Sequence, residues 1–216
     1  MTYKIPKEAL EALEKLETAG YEAYLVGGCV RDTLLSREPN DWDITTNARP
    51  EEIQKVFEKT FYENDFGTVG IVTESENPAL KVIEITPYRM EAKYTDKRHP
   101  DIIRFADKLE EDLKRRDFTV NAIALNISPA AYVSDLKAKE TGEIDEEFVK
   151  IIDLWKGRED LEKKIIKTVG IPKERFEEDA LRLMRAIRFA VQLNFRIDKN
   201  TAEAIKKNAD DIIVIS

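Results

Sequence analysis

The sequence predicts an α+β protein: strands alternate with helices over residues 1–150, and an all-helical extension follows over 151–216. Three observations carry this expectation. Apolar residues recur at helical spacing in some segments and alternate in others. Strand-like and helix-like segments interleave only in the first part. Past roughly residue 150, only helical patterns remain.

Residues 7–19 (KEALEALEKLETA) set Leu10, Leu13 and Leu16 at three-residue steps, and Gly20 is a stop signal. Residues 21–26 read as a strand that runs into Gly27-Gly28. Residues 30–36 read as a short helix and 42–46 as a second strand. Pro50 opens the helix PEEIQKVFEKT, since proline fits the first turn. Strands over 68–73 and 81–86 are separated by the turn-like 75–78. Residues 108–125 read as largely helical and 131–134 as a last strand. Helices over 157–169, 174–193 and 200–213 complete the chain, with no internal repeat or low-complexity linker. The expected division is therefore 1–150 and 151–216, both within ordinary domain sizes.

Composition narrows the function classes. No apolar run approaches the ~20 residues of a membrane span, so no membrane partner is expected. The start, Met1-Thr2-Tyr3-Lys4-Ile5-Pro6, lacks the pattern of a secretory signal. The single cysteine, Cys29, excludes an internal disulfide and fits a reducing compartment, so the expected location is the cytoplasm. A net charge of −8 counts against a general RNA binder, which neutralises phosphates with Lys and Arg. Basic residues nevertheless gather at Lys114-Arg115-Arg116 and recur at Arg182, Arg185 and Arg188. That balance suits an enzyme handling metal and triphosphate.

Strand, Gly27-Gly28, then helix is a phosphate-binding arrangement, because glycine lets backbone approach a ligand closely. Arg31 could fork onto phosphate oxygens. An ordinary tight turn has the same pattern. Cys29 reads as a small buried residue, and Asp32 either holds Arg31 or caps the helix. Asp41 and Asp43 stand two apart on a strand, so both leave the same face. Adjacent carboxylates repel unless a cation lies between them, and Mg²⁺ takes oxygen ligands. Two such ions, ~3.5–4 Å apart, suit phosphoryl transfer. Glu84, in Val82-Ile83-Glu84-Ile85-Thr86, points away from Ile83 and Ile85 and is the candidate third carboxylate. An exposed strand position would also account for it.

Three ordered blocks carry a family resemblance. Leu25-Val26-Gly27-Gly28-Cys29-Val30-Arg31-Asp32, with Leu34-Leu35, Arg37, Asp41-Trp42-Asp43 and Thr45, resembles the signature of class II tRNA nucleotidyltransferases and bacterial poly(A) polymerases. Arg115-Arg116-Asp117-Phe118-Thr119-Val120-Asn121-Ala122 is similar to the family's ribose-selecting motif, and Glu178-Asp179-Ala180-Leu181-Arg182 to its base-reading motif. The resemblance implies a small mixed or antiparallel-sheet nucleotidyltransferase head, polymerase beta-like, followed by an all-helical neck. It implies Mg²⁺, as two ions, on Asp41, Asp43 and Glu84, with CTP and ATP as substrates and a tRNA 3′ end as acceptor. Gly27, Gly28, Arg31 and Arg116 would meet the triphosphate, and Asp117 the ribose 2′-hydroxyl. Asn121 and Arg185 join the substrate-binding set.

The third block has bottom-up support on a continuous helix. Glu178, Asp179 and Arg182 are spaced to project toward one region, while Leu181, Met184, Ile187 and Val191 read as the core stripe. An exposed salt-bridged helix would share this spacing. As a template for C and A, Asp179 would accept the exocyclic amine and Arg182 would donate to ring acceptors. Uracil and guanine would leave carbonyls against the carboxylate. Glu178 would orient the pair.

Residues 88–105 read as a mobile loop containing the only histidine, His99, with no catalytic role assigned to it. In the family, a loop here helps the change from C to A addition. Family members continue into body and tail domains that grip tRNA, whereas this chain stops at Ser216, so the expectation is a form truncated before them, or a minimal form that relies on another chain, with an incomplete tRNA grip. The alternatives are an A-adding enzyme, a bacterial poly(A) polymerase, or a nucleotide-binding fragment without autonomous extension. Oligomeric state is not legible in the sequence.

Overall fold

The computed structural model describes residues 2–62, 67–92, 102–128 and 141–215. In chain order it contains β1 (Thr2–Lys4), α1 (Lys7–Thr18), β2 (Ala23–Val26), α2 (Gly28–Leu34), β3 (Asp43–Thr46), α3 (Pro50–Val56) and β4 (Thr60–Tyr62). Then come β5 (Val69–Val72), β6 (Val82–Pro87), β7 (Arg89–Ala92), β8 (Ile102–Phe105), α4 (Leu109–Lys114) and a 3₁₀ turn, Thr119–Asn121. β9 (Ala124–Ile127), β10 (Glu143–Asp145) and β11 (Val149–Ile152) follow, β10 and β11 being joined by a 3₁₀ turn, Glu146–Phe148. The remainder is α5 (Gly157–Glu162), β12 (Ile165–Ile166), α6 (Pro172–Glu178), α7 (Leu181–Leu193), β13 (Arg196–Ile197), α8 (Lys199–Lys207) and a 3₁₀ segment, Ala209–Ile215.

Two compact units emerge. The first comprises residues 1–88, 105–109 and 124–152. Among the described residues its main sheet has seven strands in the order β11-β9-β2-β3-β6-β5-β4. β3 and β6 are parallel, and the other neighbours are antiparallel. α1 presents Ala9, Leu10, Ala12, Leu13 and Leu16 to the core, the i, i+3, i+4 stripe its sequence encodes. One sheet face supplies buried Leu25, Ile44, Ile83 and Ile85. This apolar face fixes which way every other strand residue points.

The second unit comprises residues 89–104, 110–123 and 153–216. Phe176, Ala180, Leu183 and Ala204 form a buried cluster, with Ile205 and Ile212 packed against it. Phe118 meets Phe189 edge-on, with ring centroids 5.8 Å apart. α5 is capped by Asp153, whose carboxylate accepts from the Gly157 and Arg158 N–H groups at 2.7 and 2.9 Å. Gly157 lies against the 3₁₀ turn so closely that a Cβ there would stand 2.2 Å from the Thr119 carbonyl and 2.8 Å from the Ile123 side chain. Gly157→Ala is therefore expected to cost about 1–3 kcal/mol through overpacking, read as a lower urea midpoint with an unchanged m-value.

The α+β class stands, with corrections to several elements, among them the helix expected over PEEIQKVFEKT, which ends at Val56 and gives way to β4 at Thr60. The extension over 151–216 is not all-helical: Ile151 and Ile152 belong to the main sheet, and β12 pairs with β13 in parallel. Residues 108–125 are helical only at Leu109–Lys114 and Thr119–Asn121, then turn into a strand. The expected helix over 174–193 breaks at Asp179, whose backbone is extended (φ −140°, ψ 106°). The expected core stripe on α7 faces outward, with Met184, Ile187 and Val191 exposed, while Arg182, Leu183, Ala186 and Leu193 are buried. At the ends of the segment read as a loop, β7 and β8 form a two-stranded sheet. The strand expected at 131–134, residues 93–101 and thus His99 lie outside the described residues.

Candidate active site

Strand β2 ends in a turn only glycine makes easily. Gly27 sits at φ 82°, ψ −133°, outside the regions open to L side chains. A Cβ on Gly28 would lie 3.6 Å from Asp41 Oδ1 and 3.8 Å from Arg31 Nη2. The bare glycine thus leaves the backbone open beside one carboxylate and one guanidinium. Arg31 donates from Nε and Nη2 to Asp32, at 3.0 and 2.8 Å, and both side chains are buried. Asp32 is therefore the partner that holds Arg31, and one edge of the fork is occupied by protein.

Trp42 and Ile44 are buried, which turns the odd-numbered neighbours toward the opposite face. Asp43 pairs in register with Glu84 across the parallel β3–β6 seam. β6 alternates with Ile83, Ile85 and Pro87 buried and Glu84 half-buried, so the two carboxylates share one sheet face. Thr45 Oγ1 donates to the Thr86 carbonyl at 3.1 Å, tying the same seam two residues on. Asp41, just before β3, is exposed. Among the described residues, no three His, Cys, Asp or Glu side chains are gathered into a ready-made ion site. The donor set is all carboxylate oxygen, which fits a hard divalent cation by its chemistry.

Cys29 is fully buried behind this face, its Sγ donating to the Val26 carbonyl at 3.3 Å. Burial, with Asp43 adding negative charge, pushes the thiol up to about 12. A buried thiol of this kind is inert. Iodoacetamide at pH 8 is expected to leave Cys29 unmodified in the folded chain and to label it fully in urea, as mass spectrometry can follow.

The second unit contains the other candidates. Asp117 is buried; its Oδ1 accepts from the Phe118 N–H at 2.8 Å and its Oδ2 from Arg185 Nε at 2.7 Å. A carboxylate offers about four acceptor positions, so Asp117 retains capacity while its rotamer is fixed. Asn121, in the following 3₁₀ turn, is buried. Arg116 donates from Nη2 to Asp112 at 3.0 Å, and Arg115 donates to the same carboxylate at 2.7 and 2.9 Å. Burial alone would push the Asp112 carboxyl up, but the two guanidiniums overcome this and hold it below the usual value.

The third block is assembled at the α6–α7 break. The Asp179 carboxylate accepts from the Leu181 N–H at 2.9 Å, a local turn that competes with helix continuation. Glu178 accepts from Arg182 Nη1 at 2.7 Å and also pairs with Arg175. Arg182 further donates to the Arg175 and Arg115 carbonyls at 3.2 and 3.1 Å. Its closest approach to Asp179 is 3.9 Å. Glu178 thus holds Arg182 but not Asp179, and Arg182 is largely engaged by protein acceptors. Asp179 is shifted up by burial, partly offset by the Leu181 N–H and by Arg182 and Arg185. Asp112 is the residue sequence reading missed, although its spacing from Arg115 and Arg116 on one helical turn was the available signal.

A family profile described as the Poly A polymerase head domain matches residues 23–167. The CCA-adding enzyme of Limosilactobacillus reuteri is 48% identical over 202 residues, covering 93% of this chain and 44% of that protein. The CCA-adding enzyme of Staphylococcus epidermidis is 38% identical over 217 residues, covering 100% of this chain and 48% of that protein. Among solved structures, the CCA-adding enzyme of Bacillus stearothermophilus in complex with CTP superposes with a TM-score of 0.79 at 40% identity, covering 98% of this chain and 46% of that one. A tRNA nucleotidyltransferase complexed with a primer tRNA and an incoming ATP analog gives 0.67 at 27%, covering 92% and 50%. The chain thus spans half or less of the length of these relatives.

Proposed function

The chain belongs to the poly(A) polymerase head-domain family, which includes the class II tRNA nucleotidyltransferases, and from that premise we propose that it carries the nucleotide-adding site of a CCA-adding enzyme. The reaction is template-independent transfer of C and A from CTP and ATP to a tRNA 3′ end. A bond forms between the RNA 3′ oxygen and the α-phosphorus as the bond to pyrophosphate breaks. One observation carries the assignment most directly: Asp43 and Glu84 are opposed in register on one sheet face, and Asp41, two residues before Asp43, flanks bare Gly28. Two carboxylates on neighbouring strands of one sheet face offer oxygen ligands to a shared divalent cation.

Asp41, Asp43 and Glu84 would hold Mg²⁺, as two ions. Held there, Mg²⁺ would offset phosphate charge and favour ionisation of the attacking hydroxyl. Gly27 and Gly28 admit the triphosphate close to backbone, and Arg31, held by Asp32, and Arg116, held by Asp112, supply fixed positive charge. Asp117, fixed by Arg185, accepts from the ribose 2′-hydroxyl. Asn121, near it in sequence, helps seat the nucleotide. Asp179 accepts the exocyclic amine of cytosine or adenine. Arg182 donates to the ring after giving up one protein acceptor, with Glu178 retaining its orientation.

Labelled CTP or ATP, Mg²⁺ and tRNAs lacking one, two or three terminal nucleotides test this. Extension stopping at CCA is the expected result. Long A tails would instead indicate a poly(A) polymerase, addition of A alone an A-adding enzyme, and nucleotide binding without extension a binding fragment. An Asp179→Ala variant that still excluded UTP and GTP would remove the base-reading assignment.

A further inference from the structure

Four strands of the first unit place one residue each in a straight row on the carboxylate face. β3 contributes Asp43, β6 Glu84, β5 Gly70 and β4 Phe61, each the register partner of the next. Gly70 is bare, and a Cβ there would meet the Phe61 ring at 2.5 Å. The ring therefore lies on the sheet backbone, one strand from Glu84, a separation of roughly 5 Å. Phe61 is 39% exposed, so the ring keeps a solvent-facing side.

The sheet order gives this ring a side of the reaction. The Gly27-Gly28 turn, with Asp41 and Arg31, lies at the end of β2, which borders β3 on the flank away from β6. On the proposed function, that flank receives the triphosphate. β6, β5 and β4 make up the opposite flank, which is left for the RNA end carrying the attacking hydroxyl. A flat aromatic face there offers any base a stacking surface, and such stacking is tolerant of sequence.

We propose that Phe61, seated on Gly70 beside Glu84, is a stacking platform for a base at the single-stranded 3′ end of the acceptor RNA. The inference rests on the transfer reading for its choice of ligand. Phe61 acts as a positioning residue for the acceptor and leaves the incoming nucleotide untouched.

The test is the affinity of the full chain for a fluorescein-labelled RNA hairpin with a 3′ overhang ending in CC, measured by anisotropy. CTP affinity with Mg²⁺ is measured on the same samples. Phe61→Leu and Phe61→Ala are expected to weaken RNA binding about 5- to 150-fold, the range of one base–aromatic stack, with CTP affinity unchanged. Phe61→Trp is expected to retain RNA binding and to show quenched indole emission on RNA addition relative to the native chain. Leucine keeps the apolar cover on Gly70, so a folding defect is separable by circular dichroism. RNA affinity unchanged in Phe61→Leu, or unquenched emission in Phe61→Trp, overturns the platform. A native chain that binds RNA in a Phe61-dependent way yet binds no CTP supports the platform and counts against the transfer reading alone.

Discussion

Replacing Asp43 with alanine is expected to lower nucleotide transfer by about 10³-fold while leaving the chain folded. Losing one preorganised electrostatic partner of a transition state costs about 10²–10³ in rate, and a shared metal ligand belongs at the upper end. The fold is expected to persist, because Asp43 is a half-buried residue at the start of β3 and its removal deletes no apolar side chain from the core. Steady-state incorporation and urea melts without divalent metal, run on the same preparations, separate the two effects. A purely structural role for Asp43 requires activity and stability to fall together.

Asp112→Ala is expected to be the most destabilising single change in the second unit. The carboxylate is completely buried and takes hydrogen bonds from both Arg115 and Arg116. Removing one partner of a buried charge pair costs about 3–5 kcal/mol, because the remaining charge is left uncompensated. For a chain of this size, that lowers Tm by roughly 6–20 °C, which calorimetry can read. The pH dependence follows from the depressed pKa. The stabilisation is fully present above the ordinary carboxylate value and is lost as pH falls through the lower, folded-state value. The native chain should therefore lose stability with acid below about pH 4, and Asp112→Asn should lose that part of the slope. Because Arg115 also offers its carbonyl to Arg182, the same variant is expected to loosen nucleotide selection.

Much of the first unit was legible because its chemistry is local in the chain. The strand into Gly27-Gly28, the following helix and the strand that starts at Asp43 all lie within 24 residues, from Ala23 to Thr46, although Asp41 falls just before that strand and not on it as expected. The half-buried Glu84 followed from strict alternation in β6. What alternation cannot give is the neighbour. That Glu84 stands opposite Asp43, and Phe61 opposite Gly70, depends on pairings across long sequence separations.

The second unit misled for identifiable reasons. The stretch after Lys114 contains Phe118, Thr119, Val120 and Ile123, and tertiary pairing with Lys167 and Thr168 overrode the helical pattern. α7 carries two stripes of similar apolar weight. Small Ala186 and leucines 183 and 193 face inward with Arg182, whose charge is met by Glu178 and two carbonyls. A buried arginine with all that support has no signature in hydrophobic periodicity. The break at Asp179 was hidden because Glu178 and Arg182 still meet across it, as they would in a continuous helix.

We propose that Asp41, Asp43 and Glu84 hold a metal-bound triphosphate, and titration calorimetry of CTP into the chain tests this most directly. Binding is expected with Mg²⁺, to vanish in EDTA, and to weaken at least about tenfold in Asp43→Ala, a loss of roughly 1.4 kcal/mol. Equal CTP affinity with and without Mg²⁺, or equal affinity in the native and Asp43→Ala chains, would contradict it.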